Sequence, residues 1–244
     1  MTRVLLLAGT AEATALANRL HEGGRPVVAS FAGRVRDLPA LPCGTRVGGF
    51  GGVGGLVEEL AGYDALVDAT HPYAARMAHH AWRAAQETGV PHVKLLRPPW
   101  TPEPGDDWHE VADLDGAAAW LEHHGIAVAF LATGRHEVAP FSRLADRRFV
   151  LRSIEPPGRL PLADSTVVLS KGPFDADAER TLFVQHGVQA VVTRNSGGTG
   201  AAAKLAAARA LGLPVVMVRR PDPPAGAAVV ATVDAAAAWV AALG

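Results

Sequence analysis

Short apolar runs rich in Val, Leu and Ala alternate along the chain with longer stretches whose apolar positions recur every three or four residues. Runs of the first kind read as strands buried on both faces and the longer stretches as helices that cover them, which predicts β-α units around parallel sheets. Strands are expected near 3–8, 26–31, 44–47, 64–69 and 92–95. Helices are expected at 11–23, 53–61 and 73–88; in the last, Ala74, Met77, Ala78, Ala81, Trp82 and Ala85 share one face. The segment 97–107, Arg-Pro-Pro-Trp-Thr-Pro-Glu-Pro-Gly-Asp-Asp, admits neither a helix nor a central strand because of its prolines. Beyond it the alternation resumes, with helices at 113–124, 175–186 and 199–211 and strands near 126–132, 147–153, 166–170, 188–193 and 214–218. A closing helix is expected at 233–243. The pattern therefore predicts an α/β fold of two Rossmann-like lobes with parallel sheets and a cleft between them. The N-terminal lobe spans 1–96, a Pro-rich linker 97–112 and the C-terminal lobe 113–244.

Composition narrows the functional classes. With 244 residues, 49% hydrophobic and 19% charged, the chain can bury a sizeable core. A formal net charge of −1 gives no global field to attract nucleic acid or an anionic membrane, so any anion must be held by a local site. The single cysteine, Cys43, leaves no intrachain disulfide and no cysteine-based zinc site, and suits a reduced compartment. The short apolar run after Met1 passes straight into a Gly-Thr turn without a signal-peptide pattern, and no stretch reaches roughly 18 uninterrupted apolar residues. A cytoplasmic protein without nucleic-acid or membrane partners, monomeric or homodimeric, is expected.

The chemistry collects at the predicted strand ends, where open α/β sheets bind ligands. The first strand ends in Ala8-Gly9-Thr10-Ala11-Glu12-Ala13, a turn whose backbone N–H groups can bind a phosphate, although it is equally compatible with an ordinary capped β-α turn. The second ends in Ser30-Phe31-Ala32-Gly33-Arg34, where an NAD enzyme presents an acidic residue to the ribose about twenty residues after the glycine turn. Arg34 there can pair with a 2′-phosphate, which predicts NADPH over NADH; the alternative is that Arg34 and Arg36 are solvated loop charges. Six glycines within Gly48-Gly49-Phe50-Gly51-Gly52-Val53-Gly54-Gly55-Leu56 suggest a close backbone approach to a ligand or, failing that, a flexible loop. Asp68-Ala69-Thr70-His71-Pro72-Tyr73 brings Thr70 and His71 to the same edge, with Pro72 suited to the first turn of the next helix. His71 can donate a proton to substrate or simply cap and pack. Three later strand ends, Thr133-Gly134-Arg135-His136, Ser170-Lys171-Gly172-Pro173-Phe174 and Thr193-Arg194-Asn195-Ser196-Gly197-Gly198, combine backbone donors, hydroxyls, an amide and positive charge. Such a set suits a substrate with several carboxylates. Lys204 either points back at the ligand of the last loop or solvates its own helix.

Taken in order, these motifs resemble the precorrin-6A reductase family, and the resemblance runs from the first strand to Arg219-Arg220-Pro221. It implies NADPH-dependent reduction of one C=C bond of a tetrapyrrole, giving precorrin-6B or its cobalt form, by an enzyme of cobalamin biosynthesis. By the same resemblance Gly9, Thr10, Glu12, Ser30, Gly33, Arg34, Gly49, Phe50, Gly51 and Thr70 face the cofactor. Thr133, Gly134, Lys171, Gly172, Pro173, Asn195, Ser196, Gly197 and Lys204 face the substrate's acetate and propionate groups. His71 and Tyr73 are the candidate proton donors, with solvent or a substrate carboxyl as alternatives. No metal ligand set is expected.

Two rival enzymes fit poorly. A short-chain dehydrogenase needs a lysine four residues after its tyrosine, but Tyr63 and Tyr73 are followed at that spacing by Val67 and Met77. The histidine pairs His79-His80 and His123-His124 are adjacent and cannot converge on zinc as i, i+4 ligands do. A binding protein that senses NADPH without chemistry is the alternative from another class.

Overall fold

The computed structural model describes residues 1–33 and 39–244. The chain divides into two compact units, one of Met1–Pro98 with Pro221–Gly244 and one of Pro99–Arg220. In the first unit the elements run β1 (Val4–Leu7), α1 (Ala11–Glu22), β2 (Val27–Phe31), β3 (Gly44–Val47), α2 (Val53–Leu60), β4 (Ala65–Asp68), α3 (Ala75–Thr88) and β5 (His92–Leu95). All its strand pairs are parallel.

Alternation along β1 shows why both faces of this sheet are covered. Val4 and Leu6 pack with Leu16, Ala17 and Leu20 of α1, whereas Leu5 and Leu7 pack with Leu56 and Leu60 of α2 and with Ala81 and Ala84 of α3. Successive side chains point to opposite faces, so a strand sandwiched between helices must be apolar throughout. Each fully buried leucine contributes about 1.5–3 kcal/mol.

The second unit runs β6 (Trp108–Val111), α4 (Leu114–His123), β7 (Val128–Ala132), a 3-10 turn (Ala139–Arg143), β8 (Arg148–Ser153), β9 (Asp164–Leu169), α5 (Ala176–His186), β10 (Ala190–Arg194), α6 (Ala203–Leu211) and β11 (Val215–Val218). Its parallel sheet has the order β6-β11-β10-β7-β8-β9. The chain then returns to the first unit as β12 (Val229–Val230) and α7 (Val233–Ala241), giving a first sheet of order β12-β5-β4-β1-β2-β3. Each sheet thus has the Rossmann order. In each, the outermost sixth strand comes from outside the run that builds the other five. No helix among the described residues is long and apolar enough to cross a membrane.

Four expectations need correction. The supposed linker 97–112 contains β6, which pairs in register with β11. The prolines before it hid this strand, and Trp108 and Val111 are only half-buried because it lies at the sheet's edge. From Pro99 on, this segment is part of the second unit, held by a reciprocal clamp. The Asn195 side chain accepts from the Trp100 N–H at 2.8 Å and donates to the Trp100 carbonyl at 3.0 Å. The tail from Pro221, expected in the second lobe, belongs to the first, where Lys94 N donates to Ala228 O and Leu96 N to Val230 O. A two-residue strand is too short to show any period, so β12 was not legible. Finally, α3 starts at Ala75 and α6 at Ala203, because turns closed by Ala74 N to His71 O and Ala202 N to Thr199 O precede them.

Candidate active site

In the first unit β1 and β4 lie side by side, but their following helices lead to opposite ends of the sheet. A crevice opens between two such strand ends. Gly9 sits at this point with φ +147, and a Cβ built on it would meet nothing within 4 Å. The conformation calls for glycine, and the room beside it allows a ligand to approach the backbone. Thr10 caps α1 by accepting from Ala13 N at 3.1 Å, and its hydroxyl donates to Ala69 O at 2.9 Å, locking the two loops together. Among the described residues the amides of Ala11 and Glu12 make no hydrogen bond, as is normal at a helix start that can receive an anion. The carboxylate of Glu12 would oppose an anion there. Arg97 neutralises it at 2.6 Å.

Fully buried Asp68 at the end of β4 accepts from Thr70 N at 3.0 Å and from the Thr70 hydroxyl at 2.6 Å. Its second oxygen pairs with the equally buried Lys94 ammonium at 2.8 Å. Neighbouring His92 is held below the usual imidazole range by burial and by Lys94, against the pull of Asp68. The pair thus fixes Thr70 at the crevice from beneath. His71 accepts at Nδ1 from Tyr73 N at 3.3 Å, which leaves the proton of a neutral ring on Nε2. The two rings lie 5.8 Å apart, so His71 and Tyr73 stand together beside Thr70.

Ser30, Gly33, Gly49, Phe50 and Gly51 gather at the ends of β2 and β3. Gly33, Gly48, Gly51 and Gly52 all have positive φ, which explains the glycine-rich stretch as a shaped turn. A Cβ on Gly55 would lie 1.8 Å from the Phe50 carbonyl oxygen, so this loop rests directly on the first turn of α2. Arg34 lies outside the described residues. The sequence reading missed Arg46, whose guanidinium donates to the Ser30 hydroxyl at 2.9 Å and lies 4.0 Å over the Phe50 ring.

The second unit has the equivalent crevice between β7 and β10. Thr133, at the end of β7, is buried, and its hydroxyl has no hydrogen-bond partner among the described residues. Gly134 follows with φ +94. Exposed Lys171, Gly172 and Pro173 follow β9, and a Cβ on Gly172 would meet Gly200 O at 3.1 Å, so this loop meets the one that holds Ser196 and Gly197. The Asn195 amide is occupied by Trp100, as described, and its carbonyl accepts from Arg220. Lys204 does not solvate its helix: it is 4% exposed, donates to Ala201 O at 2.5 Å and lies 4.6 Å over the Trp100 ring. Burial and the charge of Arg152 push its ammonium down to about 7, with Glu179 opposing and Arg194 adding to the shift. Arg152 and Glu179 are themselves a buried pair at 2.5 Å. Lys94, a charge within the short buried strand β5, was the available sequence signal for the first buried pair; Glu179 stands among the other polar residues of α5 and gave no such signal.

A family model described as precorrin-6x reductase CbiJ/CobK matches residues 3–241. The chain is 48% identical over 244 residues to the precorrin-6A reductase of Rhodococcus erythropolis, with 98% of each chain covered. It is 32% identical over 237 residues to the cobalt-precorrin-6A reductase of Priestia megaterium, covering 89% of this chain and 90% of that relative. A solved structure of CobK precorrin-6A reductase superposes with a TM-score of 0.94 at 43% identity, covering 100% of this chain and 98% of that one.

Proposed function

Because the chain belongs to the precorrin-6x reductase family, we propose that it reduces precorrin-6A to precorrin-6B in cobalamin biosynthesis, using NADPH. The observation that carries this reading is the likeness to a precorrin-6A reductase over 98% of both chains. The cobalt-containing macrocycle is the second reading, and the identity gap of 48% against 32% favours the metal-free substrate.

Bound NADPH supplies the hydride. The first unit's residues fit such a group: Gly9 leaves open room that a side chain would fill, and the first amides of α1 are free to meet a phosphate. Thr10 holds the strand ends together, the Glu12–Arg97 pair cancels a charge that would repel the pyrophosphate, and Asp68 orients Thr70. Gly33, Gly49, Phe50 and Gly51 form the wall toward the adenosine end. His71 holds a proton for the carbon next to the hydride acceptor, with Tyr73 as its neighbour. In the second unit Thr133, Gly134, Lys171, Gly172, Ser196 and Gly197 offer donors and charge to substrate carboxylates, with Pro173 shaping the loop that carries Lys171, while Asn195 and Lys204 hold the surrounding loops in place.

Nicotinamide absorbance after mixing the protein with NADPH and precorrin-6A tests the proposal, with the cobalt form and NADH in parallel. Oxidation of NADPH with the metal-free macrocycle is expected. Oxidation only with the cobalt form would move the enzyme to the other branch, and tight binding without oxidation would make it a sensor.

A further inference from the structure

Resting on the NADPH reading, we propose that Arg46 is the specificity-determining residue that binds the 2′-phosphate of the cofactor's adenosine ribose. The proposal starts from register. In the parallel β2–β3 pair Ser30 stands opposite Arg46, so both side chains belong to the carboxyl edge where the second strand of a Rossmann sheet meets the ribose. An NAD enzyme presents an acid there. Here the second strand offers Ser30, and the adjacent strand lays an arginine against it.

The guanidinium is held before any ligand arrives. Nη1 donates to the Ser30 hydroxyl at 2.9 Å and to Gly48 O at 3.4 Å, and the plane covers the Phe50 ring at 4.0 Å. Phe50 is fixed in turn, because its carbonyl lies against Gly55 with no space for a Cβ. Nε forms an ion pair with Glu59 at 3.8 Å, beyond hydrogen-bond distance, and Nη2 makes no hydrogen bond among the described residues. Nη2 therefore remains to donate to an acceptor such as phosphate. The Arg46 side chain is 26% exposed, so it can be reached and yet has already lost most of its rotamer freedom. A solvated surface arginine has no such set of supports. Ser30, once it accepts from Arg46, still has its own hydroxyl proton to donate to the same phosphate or ribose. Gly48, Gly51 and Gly52, with φ of +120, +79 and +118 and no neighbour within 4 Å of a built Cβ, leave the space beside the guanidinium open.

The experiment measures binding of NADP⁺, NAD⁺, adenosine 2′,5′-bisphosphate and AMP by titration calorimetry to the wild-type chain and to Arg46→Ala, Arg46→Lys and Arg34→Ala. The wild type should prefer NADP⁺ over NAD⁺ and the bisphosphate over AMP. Arg46→Ala should lose about 10- to 100-fold in affinity for NADP⁺ and for the bisphosphate, the range of one charge-assisted contact, while NAD⁺ and AMP change less than about twofold. Arg46→Lys should keep part of the preference and serves if the alanine variant fails to fold. Equal losses for NADP⁺ and NAD⁺ would overturn the assignment, as would retention of the preference in Arg46→Ala together with its loss in Arg34→Ala. A wild type without preference would remove the NADPH reading itself, and the Arg46 proposal with it.

Discussion

Burial of the Lys204 ammonium has a consequence that can be measured without substrate. In the unfolded chain this lysine titrates near 10.4, as model lysines do, whereas in the folded chain it titrates at about 7. Between those values the unfolded state binds more protons than the folded one, so stability rises with pH, by at most about 1.4 kcal/mol per pH unit. Below about 7 both states are charged and the burial cost is present in full. The stability difference between wild type and Lys204→Met, from urea unfolding, should be flat below about pH 7 and should climb in favour of wild type above it. A flat difference across the range would mean that Lys204 is not buried as an isolated charge. His71 carries the other prediction at this scale. His71→Ala should lower kcat by about 10² or more, the usual contribution of a positioned proton donor, and leave NADPH affinity within about twofold. Unchanged turnover would take His71 out of the chemistry. Both residues were visible in the sequence as candidates, but their settings were not. Nothing near Lys204 in sequence predicts that Trp100 lies under its ammonium, and Arg46 was passed over because its value depends on β2 and β3 being neighbours.

At the scale of elements, the register of β4 with β5 sets Asp68 opposite Lys94 and buries both. A buried pair of this kind adds little net stability, yet removing one partner strands the other charge. Lys94→Met should therefore cost about 3–5 kcal/mol in urea unfolding, and adding Asp68→Asn should recover part of that loss. If the double variant is as unstable as the single one, packing of the lysine stem rather than its charge holds β5 in place. Long, strongly periodic elements were legible: the expected helices and central strands match to within a few residues at most ends. The sequence misled where the signal was short or masked. The two residues of β12 carry no period, β6 follows a proline run, and the turns before α3 and α6 look like helix starts because they lead directly into apolar repeats.

For the molecule as a whole, the telling feature is that the first sheet is closed by residues from the far end of the chain. The α7 helix adds Ala236 and Val240 to the core formed by α1 and β1, and Arg19 pairs with Asp234 across the same face. Ending the chain at Arg220 would expose that core and the edge of β5. Such a variant should lose the first unit's cooperative unfolding transition and bind NADP⁺ poorly, whereas retention of both would show that the tail is dispensable. The same routing sets a timetable during synthesis. The ribosome releases every strand of the second unit before it releases the last strand of the first, so the domain begun first is finished last. Until β12 emerges, β1 to β5 form an unfinished sheet with an open edge, a state in which a nascent chain has most to gain from a chaperone.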